Sequence, residues 1–178
     1  MPGKAKARTR TIHGVLLSIF GRGVLIVGGS GSGKTVAALE LMDRGHRLVA
    51  DDAVCLYERN GGLFGSAPDD LRGLVYVPGM GSIDARRVFG DGALLDESLI
   101  ELCLELAPRG TIDEALNDES QGKTVEFLGV SVPLVLVEAG GPRISPVLAE
   151  CAVKARFGHD TSGNTASADV NDAKTFHM

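Results

Sequence analysis

A glycine-rich segment of the chain has the residue types and the spacing of a phosphate-binding P-loop. Its sequence is Gly28-Gly29-Ser30-Gly31-Ser32-Gly33-Lys34-Thr35, between an apolar run at 24–27 and a helix-forming run at 36–42. Glycines let successive backbone N–H groups converge on one point, and the N-terminus of the following helix adds positive potential. Lys34 can contact the β- and γ-phosphates, and the Thr35 hydroxyl can bind Mg²⁺. A chance Gly/Ser-rich turn does not explain this strand–loop–helix context, so the segment predicts a nucleotide site.

Two acidic residues, Asp51 and Asp52, follow the predicted strand at 46–50. Ligands of α/β nucleotide-binding proteins gather beyond the carboxyl ends of the strands. A carboxylate at that place can hold Mg²⁺ or accept a proton from an attacking hydroxyl. An ordinary turn or helix cap is the alternative, but the position after a P-loop helix favours a functional role.

The histidines and most basic residues are less informative. His13 precedes the first hairpin, and a lone histidine is more often structural than catalytic. His46 lies near a predicted helix end, where a capping role is expected. Five other basic residues are candidates for phosphate contact or partner docking, although such side chains are usually solvated. They are Arg86, Arg87, Arg143, Lys154 and Arg156. The chain has no Asn-Lys-x-Asp guanine-reading motif after the P-loop, which disfavours a GTPase.

Strands must position most of these residues. The apolar runs at 12–20 and 24–27 predict one hairpin, and the runs at 54–59 and 63–67, around Asn60-Gly61-Gly62, predict another. Residues 99–106 alternate apolar and polar side chains, which is typical of a strand with one wet face. Short strands are also predicted at 46–50, 75–77, 125–130 and 133–137.

Two helices are predicted with defined ends. The P-loop helix should end near Arg44 with Gly45 as its C′ residue, and the last helix should run from Pro146, capped by Ser145, to Phe157. Residues 78–82 are expected to form a glycine-bearing loop, and residues 84–90 a short helical turn.

Composition limits the class of protein. The chain has 178 residues, 44% of them hydrophobic, which suits one domain with a sizeable core. Its net charge of −5 and its lack of tryptophan disfavour nucleic-acid binding. No uninterrupted apolar run is long enough for a membrane span, and three scattered cysteines are typical of reduced thiols in the cytoplasm. The expected organisation is a flexible basic arm at 1–10, one domain at 11–160 and a disordered tail at 161–178.

Several segments together resemble the catalytic domain of HPr kinase/phosphorylase. The most specific match is Arg44-Gly45-His46-Arg47-Leu48-Val49-Ala50-Asp51-Asp52, which follows the P-loop. His13-Gly14-Val15-Leu16 and Gly23-Val24-Leu25-Ile26 match before the P-loop. Gly79-Met80-Gly81 with Ile83-Asp84 resembles the signature loop of the family, and weaker similarity extends through Val132-Pro133 and Gly141-Pro142-Arg143. The resemblance covers most of residues 11–160 and is strongest up to residue 52.

The resemblance implies an α/β fold of the phosphoenolpyruvate carboxykinase-like P-loop type, with a strand-rich mixed sheet, a P-loop helix and a C-terminal helix. It implies ATP- and Mg²⁺-dependent phosphorylation of a serine on HPr, a phosphocarrier of the bacterial sugar phosphotransferase system. It also implies the reverse reaction with phosphate, which releases pyrophosphate, and assembly into hexamers. Asp51 would be the base, with His13 and Lys34 in the same site. Mg²⁺ would be held by Thr35 and Asp52.

The chain departs from the family pattern at identifiable positions. The family loop usually reads G-D-S-G-x-G-K-S-E, and Gly29, Thr35 and Val36 differ from it. The family's E-I-R-G stands here as Tyr76-Val77-Pro78-Gly79. Two alternatives therefore stay open, a nucleotide-binding regulatory protein without kinase chemistry and a kinase of another acceptor.

Overall fold

Strands make up most of the regular structure. A computed structural model describes residues 8–108, 110, 122–138 and 145–158. The strands are β1 Thr9–His13, β2 Val15–Ile19, β3 Arg22–Gly28, β4 Arg47–Ala50, β5 Ala53–Arg59, β6 Gly62–Ser66, β7 Leu74–Val77, β8 Gly81–Asp84, β9 Glu97–Ala107, β10 Thr124–Phe127 and β11 Val130–Glu138. The helices are α1 Lys34–Asp43, α2 Ala85–Phe89 and α3 Pro146–Phe157. Single 3₁₀ turns lie at Asp69–Leu71 and Asp91–Ala93.

Strand β9 is the centre of the main sheet, whose order is β1-β5-β6-β9-β3-β2-β4. The first residues of β9 pair antiparallel with β6, and the rest of the strand pairs parallel with β3. Its C-terminal half also pairs parallel with β11. The predicted hairpins β2–β3 and β5–β6 are both present. The expected strand-rich mixed sheet is therefore confirmed.

Both faces of the central strands are buried. Leu17, Ile26 and Leu104 pack with α1 and α3 on one face. Leu16 and Leu25 pack on the other face, with apolar residues of β5 and β6. Leu16 and Leu17 are neighbours in β2 and both are 0% exposed, because the sheet curls and covers its second face with its own strands. Burial of a leucine side chain contributes about 1.5–3 kcal/mol to the free energy of unfolding. These two apolar layers therefore hold the strand ends of the site in place.

The apolar run at 12–20, expected to be one strand, is two strands that separate at Gly14. Strand β1 pairs with β5, whereas β2 pairs with β3 and β4. The Gly14 N–H donates to the Asp52 carbonyl at 3.2 Å. A Cβ atom at this position would lie 2.9 Å from the Ile26 carbonyl oxygen. The close approach of the two backbones causes the break between β1 and β2. Strand β1 begins at Thr9, which lies within the segment expected to be a flexible arm.

Two other sequence-based boundaries were wrong. The expected loop at 78–82 is the turn of a hairpin, and β8 begins within it at Gly81. The expected strand at 125–130 is interrupted by a turn, where Leu128 and Gly129 have φ values of 55° and 83°. In both places the turn residues adopt left-handed backbone conformations. A pattern of apolar residues or glycines does not show where such a turn begins or ends.

The predicted ends of α1 and α3 are confirmed. The N–H of Gly45 donates to Met42 and that of His46 to Leu41, which is the Schellman arrangement, and Gly45 has φ 91°. Ser145 is the N-cap of α3, but its side chain makes no capping hydrogen bond. The expected tail at 161–178, the first residues of the expected arm and Arg143 lie outside the described residues.

Candidate active site

The P-loop connects the end of β3 to the start of α1, as predicted. Gly31 and Gly33 have φ values of 76° and 83°, which other residues adopt only with strain. Gly28 has φ 155°, and a Cβ atom there would lie 2.8 Å from Cβ of Leu106 in β9. No side chain caps the N-terminus of α1, and its first turn has no acidic residue. The positive N-terminal end of α1 is therefore not neutralised by a side chain of its own first turn, which suits the binding of an anion.

Lys34 closes the loop. Its Nζ donates to the carbonyls of Gly28 and Gly29, both at 2.9 Å, and to Oγ of Ser32 at 3.2 Å. Burial lowers the pKa of Lys34, and the negative charges of Asp52 and Asp51 act in the opposite direction. A phosphate oxygen would compete with these carbonyls for Nζ. The Lys34 ammonium group thus lies against the P-loop backbone, where it could also contact the phosphates of a bound nucleotide.

Asp51 is buried beside the P-loop and is 4% exposed. The Thr35 hydroxyl donates to its two carboxylate oxygens, at 3.0 and 3.3 Å. Burial raises the pKa of Asp51, and the nearby Asp52 charge adds to this, while hydrogen bonding from Thr35 and from the backbone of Tyr76 and Asp52 lowers the pKa. The net rise in pKa favours a group that can accept a proton.

A tight turn separates the two aspartates. The Ala53 N–H donates to the Asp51 carbonyl at 2.8 Å, which closes a three-residue γ-turn around Asp52, where φ is 67°. This turn leads from β4 into β5. It leaves Asp51 buried and exposes the Asp52 side chain. Backbone strain of this kind often occurs at functional sites.

His13 joins the site through strand pairing. It lies opposite Ala53 in the β1–β5 ladder, and its Nδ1 is 3.0 Å from a carboxylate oxygen of Asp52. Residue type alone did not assign His13 to a site, and only the family resemblance did. The structure brings His13, Lys34, Thr35, Asp51 and Asp52 to one end of the sheet.

The arrangement fits a magnesium ion without a dedicated protein cage. Within the described residues no group of three or more His, Cys, Asp and Glu side chains could hold a metal. Mg²⁺ commonly uses one or two protein ligands, with phosphate oxygens and water. The Thr35 hydroxyl gives its proton to Asp51 and keeps its oxygen lone pairs. Asp52 supplies an exposed carboxylate at the same end of the sheet.

The other basic candidates do not join this site. His46 lies at the end of α1, and its side chain also forms a hydrogen bond with Glu150, with 2.9 Å between Nε2 and Oε1. Arg86 forms an ion pair with Asp91. Lys154 Nζ lies 4.7 Å from the centre of the Phe20 ring. No contact with the P-loop side chains is seen for Arg87 and Arg156 within the part of the chain that the structure describes.

Sequence reasoning missed the position of β7 next to the P-loop helix. Val75 of β7 is 0% exposed and packs in the same apolar cluster as residues of α1. This packing joins distant segments, so no composition or spacing signal could have identified it.

Comparison with known proteins places this geometry in a family. Residues 4–173 match the model of the HPr Serine kinase C-terminal domain. HPr kinase/phosphorylase of Brevibacillus brevis is 42% identical over 150 residues, which cover 82% of this chain and 47% of that protein. The protein of the same name from Lactobacillus johnsonii is 39% identical over 164 residues, covering 88% and 50%. The chain spans about half the length of these curated relatives.

A solved structure shares the fold. The HPr(Ser) kinase/phosphatase from Coxiella burnetii aligns with a TM-score of 0.74 and 32% identity, over 83% of this chain and 95% of that chain. Among the described residues no helix has the length and apolar character to cross a membrane. The resemblance seen in the sequence is confirmed, and the chain belongs to the HPr Serine kinase C-terminal domain family.

Proposed function

We propose that this chain is the catalytic unit of an ATP- and Mg²⁺-dependent kinase that phosphorylates a serine of an HPr-like phosphocarrier. The observation that carries the proposal is the contact of the buried Asp51 with Thr35, beside a P-loop whose carbonyls accept hydrogen bonds from Lys34. The relatives named HPr kinase/phosphorylase support HPr as the acceptor.

Each residue has a separate role in the transfer. The loop amides and Lys34 would bind the triphosphate, and Thr35 and Asp52 would hold a Mg²⁺ ion that neutralises charge on the phosphates. The serine oxygen forms a bond to the γ-phosphorus as the bond from that phosphorus to the leaving ADP oxygen breaks. Asp51 accepts the serine proton, for which its raised pKa makes it suitable. His13 holds Asp52 in place through their 3.0 Å contact.

The reverse reaction uses the same groups. A protonated Asp51 returns its proton to the serine oxygen while inorganic phosphate takes the phosphoryl group and leaves as pyrophosphate. Formation of pyrophosphate from phosphorylated HPr and phosphate measures this activity. Assembly into a homo-oligomer, a hexamer by the resemblance, stays a prediction that light scattering tests.

The central experiment measures phosphate transfer from labelled ATP to purified HPr. We expect transfer by the native chain and a loss of about 10³-fold in Asp51→Asn, since general bases contribute about 10²–10⁴-fold. Asp69→Asn is the matched control, because the Asp69 side chain is 99% exposed. Equal transfer by the native chain and Asp51→Asn would remove Asp51 from its proposed role.

A regulatory protein that binds nucleotide without transferring phosphate is the second candidate. Tyr76 and Pro78 favour it, because the resembling family carries a glutamate and an arginine there. It predicts ATP binding that is lost in Lys34→Ala, with no phosphate transferred to HPr or another protein. Phosphorylation of any protein serine by the native chain would eliminate this candidate.

A further inference from the structure

Gly14 lies where two segments of the candidate site approach each other. Its N–H donates to the carbonyl of Asp52, at 3.2 Å. A Cβ atom at Gly14 would lie 2.9 Å from the carbonyl oxygen of Ile26 and 3.5 Å from Cγ1 of Val27. Ile26 and Val27 belong to β3, which ends at Gly28, the first residue of the P-loop. Gly14 therefore contacts both the turn of the two aspartates and the strand that leads to the P-loop.

The chain is held by strand pairing on both sides of Gly14. His13 pairs with Ala53 in the β1–β5 ladder, and Val15 pairs with Ile26 in the β2–β3 ladder. The side chains of Val15 and Ile26 are both 0% exposed. Close-packed surroundings transmit strain, so a displacement at position 14 would reach the strands on both sides.

Glycine is required at position 14 for space. The φ angle of Gly14 lies outside the left-handed region, so other residues can adopt its backbone conformation. A Cβ atom at 2.9 Å from a backbone oxygen would have to move by about 0.4 Å or more, because close C···O contacts begin at about 3.3 Å. Ile26 is held in place, since it pairs with β2 on one side and with β9 on the other. The collision would therefore move the segment around Gly14 away from β3, together with the Asp52 turn that is bonded to it.

We propose that Gly14 is a positioning residue, which sets the distance between the Asp51–Asp52 turn and the strand that leads to the P-loop. At this distance the Thr35 hydroxyl donates to the Asp51 carboxylate at 3.0 Å. The inference rests on the proposed function in one respect, since it takes Asp51 as the proton acceptor. Misplacement of a reacting group by about 1 Å can cost about 10²-fold in rate, so a shift of about half that size should cost about 10-fold.

Gly14→Ala tests this spacing, with two other glycine variants as matched controls. A Cβ atom at Gly62 would also have its closest contact at 2.9 Å, but with Cδ1 of Leu99, a side chain that is 40% exposed. Gly62 pairs with Arg59, at the end of β5 that is far from the site. A Cβ atom at Gly92 would meet no atom within 4 Å among the described residues beyond its chain neighbours. Gly62→Ala therefore adds the same atom against a side chain that can move, and Gly92→Ala adds it in open space.

We expect Gly14→Ala to lower kcat for transfer to HPr by about 5- to 50-fold, with kcat calculated per nucleotide-binding site so that only folded molecules count. The Kd of this variant for ATP without Mg²⁺ should stay within about twofold, because the Lys34 contacts of the P-loop are unchanged. Gly62→Ala and Gly92→Ala should keep kcat within about twofold of native. In an Asp51→Asn background, Gly14→Ala should not lower the residual rate further, because both changes act through the same group. A purely structural loss would lower the rate in both backgrounds.

An ester at position 14 tests the same contact without the added atom. Replacing the glycine by glycolic acid removes the N–H that donates to the Asp52 carbonyl and leaves the space free. We expect kcat of the ester to fall by about 3- to 10-fold. A kcat within about twofold of native in folded Gly14→Ala, or in the ester if Gly14→Ala does not fold, would overturn the proposal. An equal loss of kcat in Gly62→Ala would overturn it too.

Hydrogen exchange provides a readout that does not depend on activity. The amide of residue 14 should exchange slowly in the native chain and in Gly62→Ala, and at least about 10-fold faster in Gly14→Ala, because its contact with Asp52 lengthens. If the native chain transfers no phosphate but this exchange accelerates in Gly14→Ala alone, the proposed function fails and the spacing role of Gly14 stands. If the exchange rate is the same in the native chain and in Gly14→Ala, the spacing role is refuted whatever the activity.

Discussion

Asp51 and Glu150 are both buried carboxylates, and their surroundings differ in charge. Asp51 is 4% exposed and is held by neutral donors, and burial raises its pKa. Glu150 is 7% exposed and accepts two hydrogen bonds from Arg44, at 2.7 and 2.6 Å, and one contact from His46. The hydrogen bonds from Arg44 are the main reason that the pKa of Glu150 falls to about 2.

The difference separates the proposed proton acceptor from a carboxylate that connects two helices of the fold. The ionised form of Asp51 is disfavoured by burial, so it is ready to take a proton. The ionised form of Glu150 is favoured, and it ties α3 to the C-terminal end of α1. Residues 44–52 supply both arrangements, with Arg44 and His46 at one end and Asp51 at the other. One short segment thus connects the structural carboxylate to the proposed proton acceptor.

The largest expected effect is a separation of activity from stability in Asp51→Asn. The variant should lose transfer by about 10³-fold and should keep or raise its midpoint of thermal unfolding, because it removes a buried charge. Calorimetry of the native chain and the variant measures the midpoint. A clear decrease in the midpoint would show that ionised Asp51 stabilises the fold and would break the contrast with Glu150.

Glu150→Gln should show the opposite pattern. Removing the charge that pairs with Arg44 and His46 should lower the free energy of unfolding by about 2–3 kcal/mol. The transfer rate of the folded protein at 25 °C should stay within about threefold, since Glu150 contacts no P-loop residue in the described part of the chain. Urea unfolding and transfer to HPr measure the two quantities.

Glu97→Gln is the matched control for that variant. Glu97 is also paired with an arginine, Arg59, at 2.7 Å, but both side chains are half-exposed. Surface ion pairs contribute little, so its unfolding midpoint should equal that of the native chain within error. An equal loss of stability in Glu97→Gln and Glu150→Gln would show that burial does not distinguish the two pairs.

The contrast between the two carboxylates also predicts a pH dependence of stability. The folded pKa of Glu150 is about 2, below its ordinary value of 4.5. Its contribution to stability is therefore complete above pH 4.5 and is lost as the pH falls towards 2. Asp51 acts in the opposite sense, because a raised folded pKa makes its protonation favour the folded state.

Urea unfolding of the native chain and Glu150→Gln between pH 6 and pH 3 measures this dependence. The difference in free energy between the two proteins should shrink as the pH falls. A difference that stays constant would mean that the pairing with Arg44 does not depend on ionised Glu150.

The parts of the site that the sequence predicts are local. The P-loop glycines, the end of α1 at Gly45 and the aspartates after β4 each depend on neighbouring residues, whose conformational preferences are visible in a short stretch. The mixed sheet also follows, because apolar runs and glycine turns mark its hairpins.

The parts that could not be predicted depend on packing between distant segments. Arg44 and Glu150 are 106 positions apart, and nothing near either residue indicates the other. His13 reaches Asp52 only because β1 pairs with β5, and that pairing requires the chain to separate at Gly14. The packing of Val75 with residues of α1 likewise joins segments that carry no local signal for each other.

The contact between Gly28 and Leu106 has a consequence during protein synthesis. Gly28 lies against β9, so the first residue of the P-loop lacks this contact until residue 106 has left the ribosome. Until then β3 and β6 also lack the strand that pairs with both of them. Unpaired strand edges are prone to aggregation, and the newly made chain depends on the arrival of β9 to protect them. The nucleotide site and the protection of the sheet edges therefore depend on the same strand.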